Sequence, residues 1–182
     1  MNPAYNNRTP HLIALFIAIC FSCFSCGYTT RGTLPGHLRT IYVEPFKNSV
    51  AYTTETNRQV YLPLLEVNVR NAVINRYLLD GYLKIADPEK ADLILKGELK
   101  GFQRDELRTS DNEDVEEYRI TITVSLELKD TVKNEIKWTE PSFSGDATYA
   151  LTGSLAKSES TAIDEAIKDL ARRVVERTFD DW

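Results

Sequence analysis

Beyond residue 26 the sequence contains no cysteine and only one histidine, His37. A zinc site built from Cys and His, and a Cys–His nucleophile, are therefore excluded from most of the chain. There is no basic surplus either: 22 Lys and Arg face 27 Asp and Glu, a formal charge of −5. That balance argues against nucleic acid as a partner, because such recognition shows as a basic stripe. No Gly-rich phosphate loop follows a strand pattern, and no serine has the strand–turn–helix setting of a nucleophile elbow. Asp111-Asn112-Glu113-Asp114 lacks the twelve-residue spacing and central glycine of a calcium loop, so it is expected to be a solvated hairpin tip. The adjacent pairs Glu116-Glu117 and Asp180-Asp181 are expected to be solvated as well. His37 sits in a Gly/Pro-rich stretch and is expected at the surface. These absences predict a protein that is not an enzyme and needs no metal or cofactor.

What is present begins with an address. Residues 1–11 are polar with a single charge, Arg8, and residues 12–24 form an almost unbroken apolar run. At ~1.5 Å per residue that run covers roughly 20 Å, short of a ~30 Å hydrocarbon core. A short basic start, a short apolar core and small residues describe an export signal, here residues 1–25. The segment Phe24-Ser25-Cys26-Gly27 resembles a bacterial lipobox, which predicts lipid attachment at Cys26; Cys23, preceded by Ser22, is the alternative acceptor. Two or three acyl chains on one cysteine anchor stably where one does not. Gly27 stands where enterobacterial sorting resembles a retention signal only when the residue is Asp, so outer-membrane delivery is expected. Removing residues 1–25 takes away only Arg8 and leaves 21 basic against 27 acidic residues.

The remaining chain is expected to be a tether, residues 26–39, and one domain, residues 40–182. Its length and its 42% hydrophobic content suit a single packed core. Thr40-Ile41-Tyr42-Val43 predicts a short strand stopped by Pro45. Asn48 to Asn57 is polar and Thr-rich, which predicts a loop. Leu62, Leu65, Val69, Val73 and Tyr77 recur at spacings of three and four, one face of a helix. Pro63 suits its first turn, and Asp80-Gly81 supplies the stop. Tyr82 to Ala86 is expected to pair briefly before the Asp87-Pro88 turn.

From Ala91 to Phe102, Leu93, Leu95 and Leu99 alternate with charged residues, and Gly97 and Gly101 share their side. Those glycines are expected to admit a helix closely or to mark bulges. The alternation from Tyr118 to Leu128 is unbroken and predicts an antiparallel strand with one buried face. Asp130 to Asn134 is a hairpin connection; Ile136 and Trp138 continue the buried face until Pro141. Phe143, Gly145 and Tyr149 then take the other parity, which predicts a bulge. In the last helix Ile163, Ala166, Ile167, Leu170, Val174 and Phe179 form the apolar stripe, with Ser158 and Ser160 as caps. The order is βαβββα. It predicts a two-layer α+β sandwich, a mostly antiparallel four-stranded sheet packed by two α-helices.

Several stretches in order resemble a known family: Cys26-Gly27-Tyr28 with Arg31-Gly32, Ile41-Tyr42-Val43 with Phe46 and Asn48, and Ala91-Asp92-Leu93-Ile94-Leu95-Lys96-Gly97. Glu117-Tyr118-Arg119 and Ala156-Lys157 continue the series. The resemblance is to LptE, the lipopolysaccharide-assembly outer-membrane lipoprotein, over essentially the whole chain after the signal. It implies a four-stranded sheet backed by two helices. It also implies a plug inside the large β-barrel LptD that assists insertion of lipopolysaccharide into the outer leaflet. Arg104, Arg108 and Lys157 are then the expected contacts for lipid A phosphates, as isolated cations in loops at one sheet end. The acids around them, Asp105, Glu106, Asp111, Glu113 and Asp114, favour the plug role over direct lipid binding.

Two other functions share the pattern. The Ile41-to-Asn48 start also resembles lipoprotein activators of peptidoglycan synthases and the curli-secretion lipoprotein. A periplasmic lipid carrier with a cavity at the core glycines is the third reading.

Overall fold

The computed structural model describes residues 34–50 and 62–180. The signal, Cys23, Cys26, the tether up to residue 33 and most of the Thr-rich loop lie outside the described residues. The described residues belong to one compact unit, Thr33–Trp182.

The elements run β1 (Thr40–Val43), β2 (Lys47–Asn48), α1 (Leu65–Asp80), β3 (Lys84–Ile85), β4 (Leu93–Thr109), β5 (Val115–Asp130), β6 (Glu135–Ala150) and α2 (Glu159–Phe179). They form an α+β layer pair: one mixed sheet with both helices in its core. The sheet has six strands rather than four, ordered β3-β1-β4-β5-β6, with β2 paired to β4 beyond β1. β1 lies parallel to β3 and β4, and β2 parallel to β4; the β4–β5 and β5–β6 pairs are antiparallel. The two extra strands are two residues each, too short to show a period, and they join only because the neighbouring backbone is already extended. The brief pairing expected between Tyr82 and Ala86 is β3 against the start of β1.

Each helix begins and ends for a local reason. α1 buries Leu65, Val69, Val73 and Tyr77, and Gly81 closes it in the left-handed region at φ 75°. Its start differs from expectation: Pro63 lies in the turn before the helix, and Leu64 precedes the first helical residue at φ 61°. α2 is capped by Ser158, whose hydroxyl accepts from the Thr161 amide.

Bulges decide which residues reach the core. A register shift between Leu99 and Gly101 turns Phe102 inward, 1% exposed, so the buried parity of β4 changes there. A second shift, between Val124 and Leu126, falls opposite Pro141 and Ser142 and accounts for the parity change in β6. A third, between Leu128 and Lys129, corrects one expectation: Trp138 is buried, but Ile136 is 57% exposed. The core glycines also divide their work. Phe46, not a helix, fills the space where a Gly97 side chain would stand. The close helix approach is at Gly145, where the Leu170 backbone of α2 occupies the side-chain position.

Candidate functional site

The predicted cations lie at the end of the sheet where β4 turns into β5 and β6 leads to α2. Arg104 and Arg108 are not in loops. β4 runs on to Thr109 and β5 starts at Val115, so the ladder extends through Asp105↔Arg119, Glu106↔Tyr118 and Arg108↔Glu117. Charge on both faces hides this stretch from a period-two reading, and backbone pairing extends it regardless. The exposed turn at Asp111–Asp114 is the tip of this hairpin.

None of the three cations is isolated. The Arg104 guanidinium reaches both Glu159 carboxylate oxygens, at 3.1 and 3.2 Å, and lies 5.1 Å over the Tyr118 ring. Tyr118 stacks on Tyr149 with centroids 5.6 Å apart, so the arginine and two phenols close this end of the core beside the start of α2. Burial raises the Tyr149 phenol, and the Glu159 charge adds to the effect. Partial burial works against the Arg104 charge, but the Glu159 carboxylate and the Tyr149 and Tyr118 phenols outweigh it and hold the guanidinium firmly ionised. Lys157 bonds both oxygens of Glu165, at 2.9 and 3.0 Å. Arg108 is paired with Glu116 at 3.1 Å, and Glu117 lies 3.9 Å away.

Two of the three pair with the same helix: Arg104 with Glu159 at the start of α2, and Lys157 with Glu165 in its second turn. Arg108 stands four residues nearer the tip, ~13 Å along the strand, with its own acids. What the arrangement offers chemically is a set of exchangeable ion pairs: an anion able to displace a carboxylate meets a cation already held in place. Between Arg104 and Arg119 the chain carries seven carboxylates against three arginines, so the unexchanged surface is acidic.

A second polar feature lies on the outer sheet face. Lys96 pairs with Glu127 at 3.0 Å and Lys100 with Glu98 at 2.8 Å, and the Ser49 hydroxyl donates to Glu98. Lys96, Glu98 and Glu127 line an open groove of about 300 Å³ that runs from Glu44 and Lys47 to Thr139. Its lining mixes Lys47 and Lys96 with Glu44, Glu98 and Glu127, which leaves it no strong positive field.

Sequence reasoning missed the cluster where the chain enters the sheet. One Asp92 oxygen accepts from the Arg39 amide at 2.9 Å, the Thr40 amide at 3.0 Å and the Thr40 hydroxyl at 2.8 Å. Asp130 is fully buried and accepts from the Lys133 amide at 2.9 Å; His37, exposed as expected, faces it at 3.4 Å. Burial alone would raise both carboxyls, but these hydrogen bonds prevail and hold each below the ordinary carboxylate range. Asp92 begins the Asp-Leu-Ile-Leu run and Asp130 ends β5, and an acid at each strand limit was the available signal. Among the described residues, no group of three or more His, Cys, Asp and Glu could hold a metal ion. Nor, among them, is any helix long and apolar enough to cross a membrane.

Comparison with known proteins separates fold from family. The chain is similar in structure to a protein from Xanthomonas campestris, with 14% identity, TM-score 0.55, and 83% and 92% of the two chains covered. It is similar to uncharacterized lipoprotein B from Nitrosomonas europaea, with 15% identity, TM-score 0.53, and 84% and 90% covered. A hypothetical protein from Chlamydia trachomatis gives 15% identity, TM-score 0.51, and 78% and 95% covered. At these identities the likeness establishes the fold alone. No curated protein matches the chain. The family model described as lipopolysaccharide-assembly matches residues 38–178, from the entry of β1 to the last turn of α2, and the chain therefore belongs to the LptE family.

Proposed function

We propose that this protein is an outer-membrane lipoprotein, anchored through Cys26, that plugs and supports an LptD-type β-barrel and assists lipopolysaccharide insertion into the outer leaflet. The observation that carries the reading is the family match across the whole described domain, from residue 38 to residue 178. The geometry agrees in one respect: a single sheet with a bare, charge-laced outer face and both helices on the other suits a domain that fits inside a larger wall. Direct contact with lipopolysaccharide belongs to the same proposal. Arg104, Arg108 and Lys157 would serve it by exchanging their carboxylate partners for lipid A phosphates, which accept charge-assisted hydrogen bonds of the same kind.

The exchange is tested by capturing lipopolysaccharide on the purified full chain. Arg108→Glu with Lys157→Glu should weaken capture, while Lys100→Glu, on the outer sheet face, should leave it unchanged. Equal capture by all three proteins would remove Arg108 and Lys157 from the proposal.

A further inference from the structure

The domain has two unlike ends, fixed by strand pairing. Thr40↔Lys84, Leu93↔Asp130 and Asp130↔Glu135 gather the starts of β1, β3, β4 and β6 at the end where the described chain enters at Leu34. Both helices finish there too: Gly81 leads from α1 into β3, and the Phe179 ring of α2 meets Tyr82 edge-on at 5.5 Å. The acidic β4–β5 tip lies at the other end.

The entry end is unusually apolar for a surface. Leu78, Leu79 and Tyr82 on one side are 59%, 82% and 61% exposed, and Val132 and Ile136 on the other are 60% and 57% exposed. On α1 this is part of a longer pattern. Val67, Asn71 and Leu78 are exposed on the side away from the buried stripe, with half-buried Ile74 at its margin. A surface helix ordinarily carries charge there. In α1 the charged residues Glu66, Arg70, Arg76 and Asp80 fall instead at helical positions on the core side, and Arg70 bonds the Val43 and Glu44 carbonyls.

Charge and chain length say what covers this end. Arg39, Lys84, Lys90 and Lys133 are exposed there and balance Asp87, Glu89, Glu135 and Asp180, whereas the opposite tip is strongly acidic. Eight residues separate Cys26 from Leu34, a reach of at most roughly 26–29 Å. We infer that, before it seats in a barrel, the entry end of the domain rests on the phospholipid leaflet to which the chain is tied. Leu78, Leu79 and Tyr82 enter the headgroup and upper acyl region, while the acidic tip points away. An aromatic ring with a polar end and aliphatic neighbours suits that depth, ~5–10 Å into the boundary, and neighbouring lysines suit lipid phosphates. The inference rests on the lipid-anchored reading and adds an orientation to it.

The test places a single environment-sensitive thiol probe at Leu79→Cys, or at Asn112→Cys in the distal turn, of the lipidated protein floated with phosphatidylethanolamine and phosphatidylglycerol vesicles. Both sites are exposed, so neither substitution threatens folding. With acyl chains brominated near the headgroup, the Leu79 probe should lose emission and shift to the blue, and the Asn112 probe should do neither. Equal, unshifted emission at both sites on floated protein would overturn the inference. Failure to float would instead defeat the Cys26 anchor. The two probes are then read on residues 27–182 held by an N-terminal histidine tag to nickel-chelating lipid, where an unquenched Leu79 probe again overturns the inference.

Discussion

Gly145 has no side chain because the Leu170 backbone stands where one would be. Any Cβ there meets main-chain atoms, which cannot rotate away, so the helix must lift from the sheet. Gly145→Ala should lower stability by about 1–3 kcal/mol in urea denaturation, the usual cost of overpacking a rigid site. Gly97→Ala meets only the Phe46 ring, which can swing, and should cost less. Asp92 acts in a different way, by collecting donors. Its carboxyl is held below the ordinary range by the Arg39 and Thr40 bonds, so its stabilisation is present near neutral pH. That contribution is lost as pH falls through and below the usual carboxylate value of about 3.9. Asp130, lowered by the Lys133 amide and His37, has the same sign. Asp92→Asn should therefore lower stability at pH 7 and flatten its acid dependence, measured by urea midpoints between pH 7 and the onset of acid unfolding. An unchanged acid slope would show that other carboxylates control it.

At the level of elements, most of the architecture was legible in the sequence, and the reasons differ from place to place. Thr40–Val43, the α1 stripe and the alternation from Tyr118 to Leu128 each show one clean period, because one face is buried over its full length. The change of parity in β6 was readable since Pro141 marks it. The distal half of the β4–β5 ladder was not, because Arg104 to Thr109 has no apolar alternation and is held by hydrogen bonds and cross-strand ion pairs. β2 escaped for lack of length, whereas the brief pairing of β3 was expected. Of the candidate site, the three cations could be named, but their partners could not: Arg108 finds its acid across a hairpin and Lys157 finds Glu165 within α2. Arg104 is the extreme case: Glu159, its partner, is 55 residues on. The Arg104 pair also carries the Tyr118 ring, so Arg104→Gln should cost about 1 kcal/mol. Arg108→Gln removes an exposed pair and should change stability by less than about 0.5 kcal/mol. Parallel urea titrations separate the two; equal effects would mean that the aromatic contact contributes nothing.

At the scale of the whole molecule, the proposed function rests on how the domain is faced. Both helices cover one side of the sheet, the outer side is laced with ion pairs, one end is acidic and the other apolar beside the chain's entry. The proposed plug role calls for such differentiated surfaces, each set against a different neighbour, the principal one being a β-barrel of the LptD type. It is tested most directly by affinity purification of the lipidated protein from solubilised outer membranes. The account predicts a barrel protein recovered in stoichiometric amount, and recovery of a peptidoglycan synthase, or of a ring of copies of this chain alone, would contradict it.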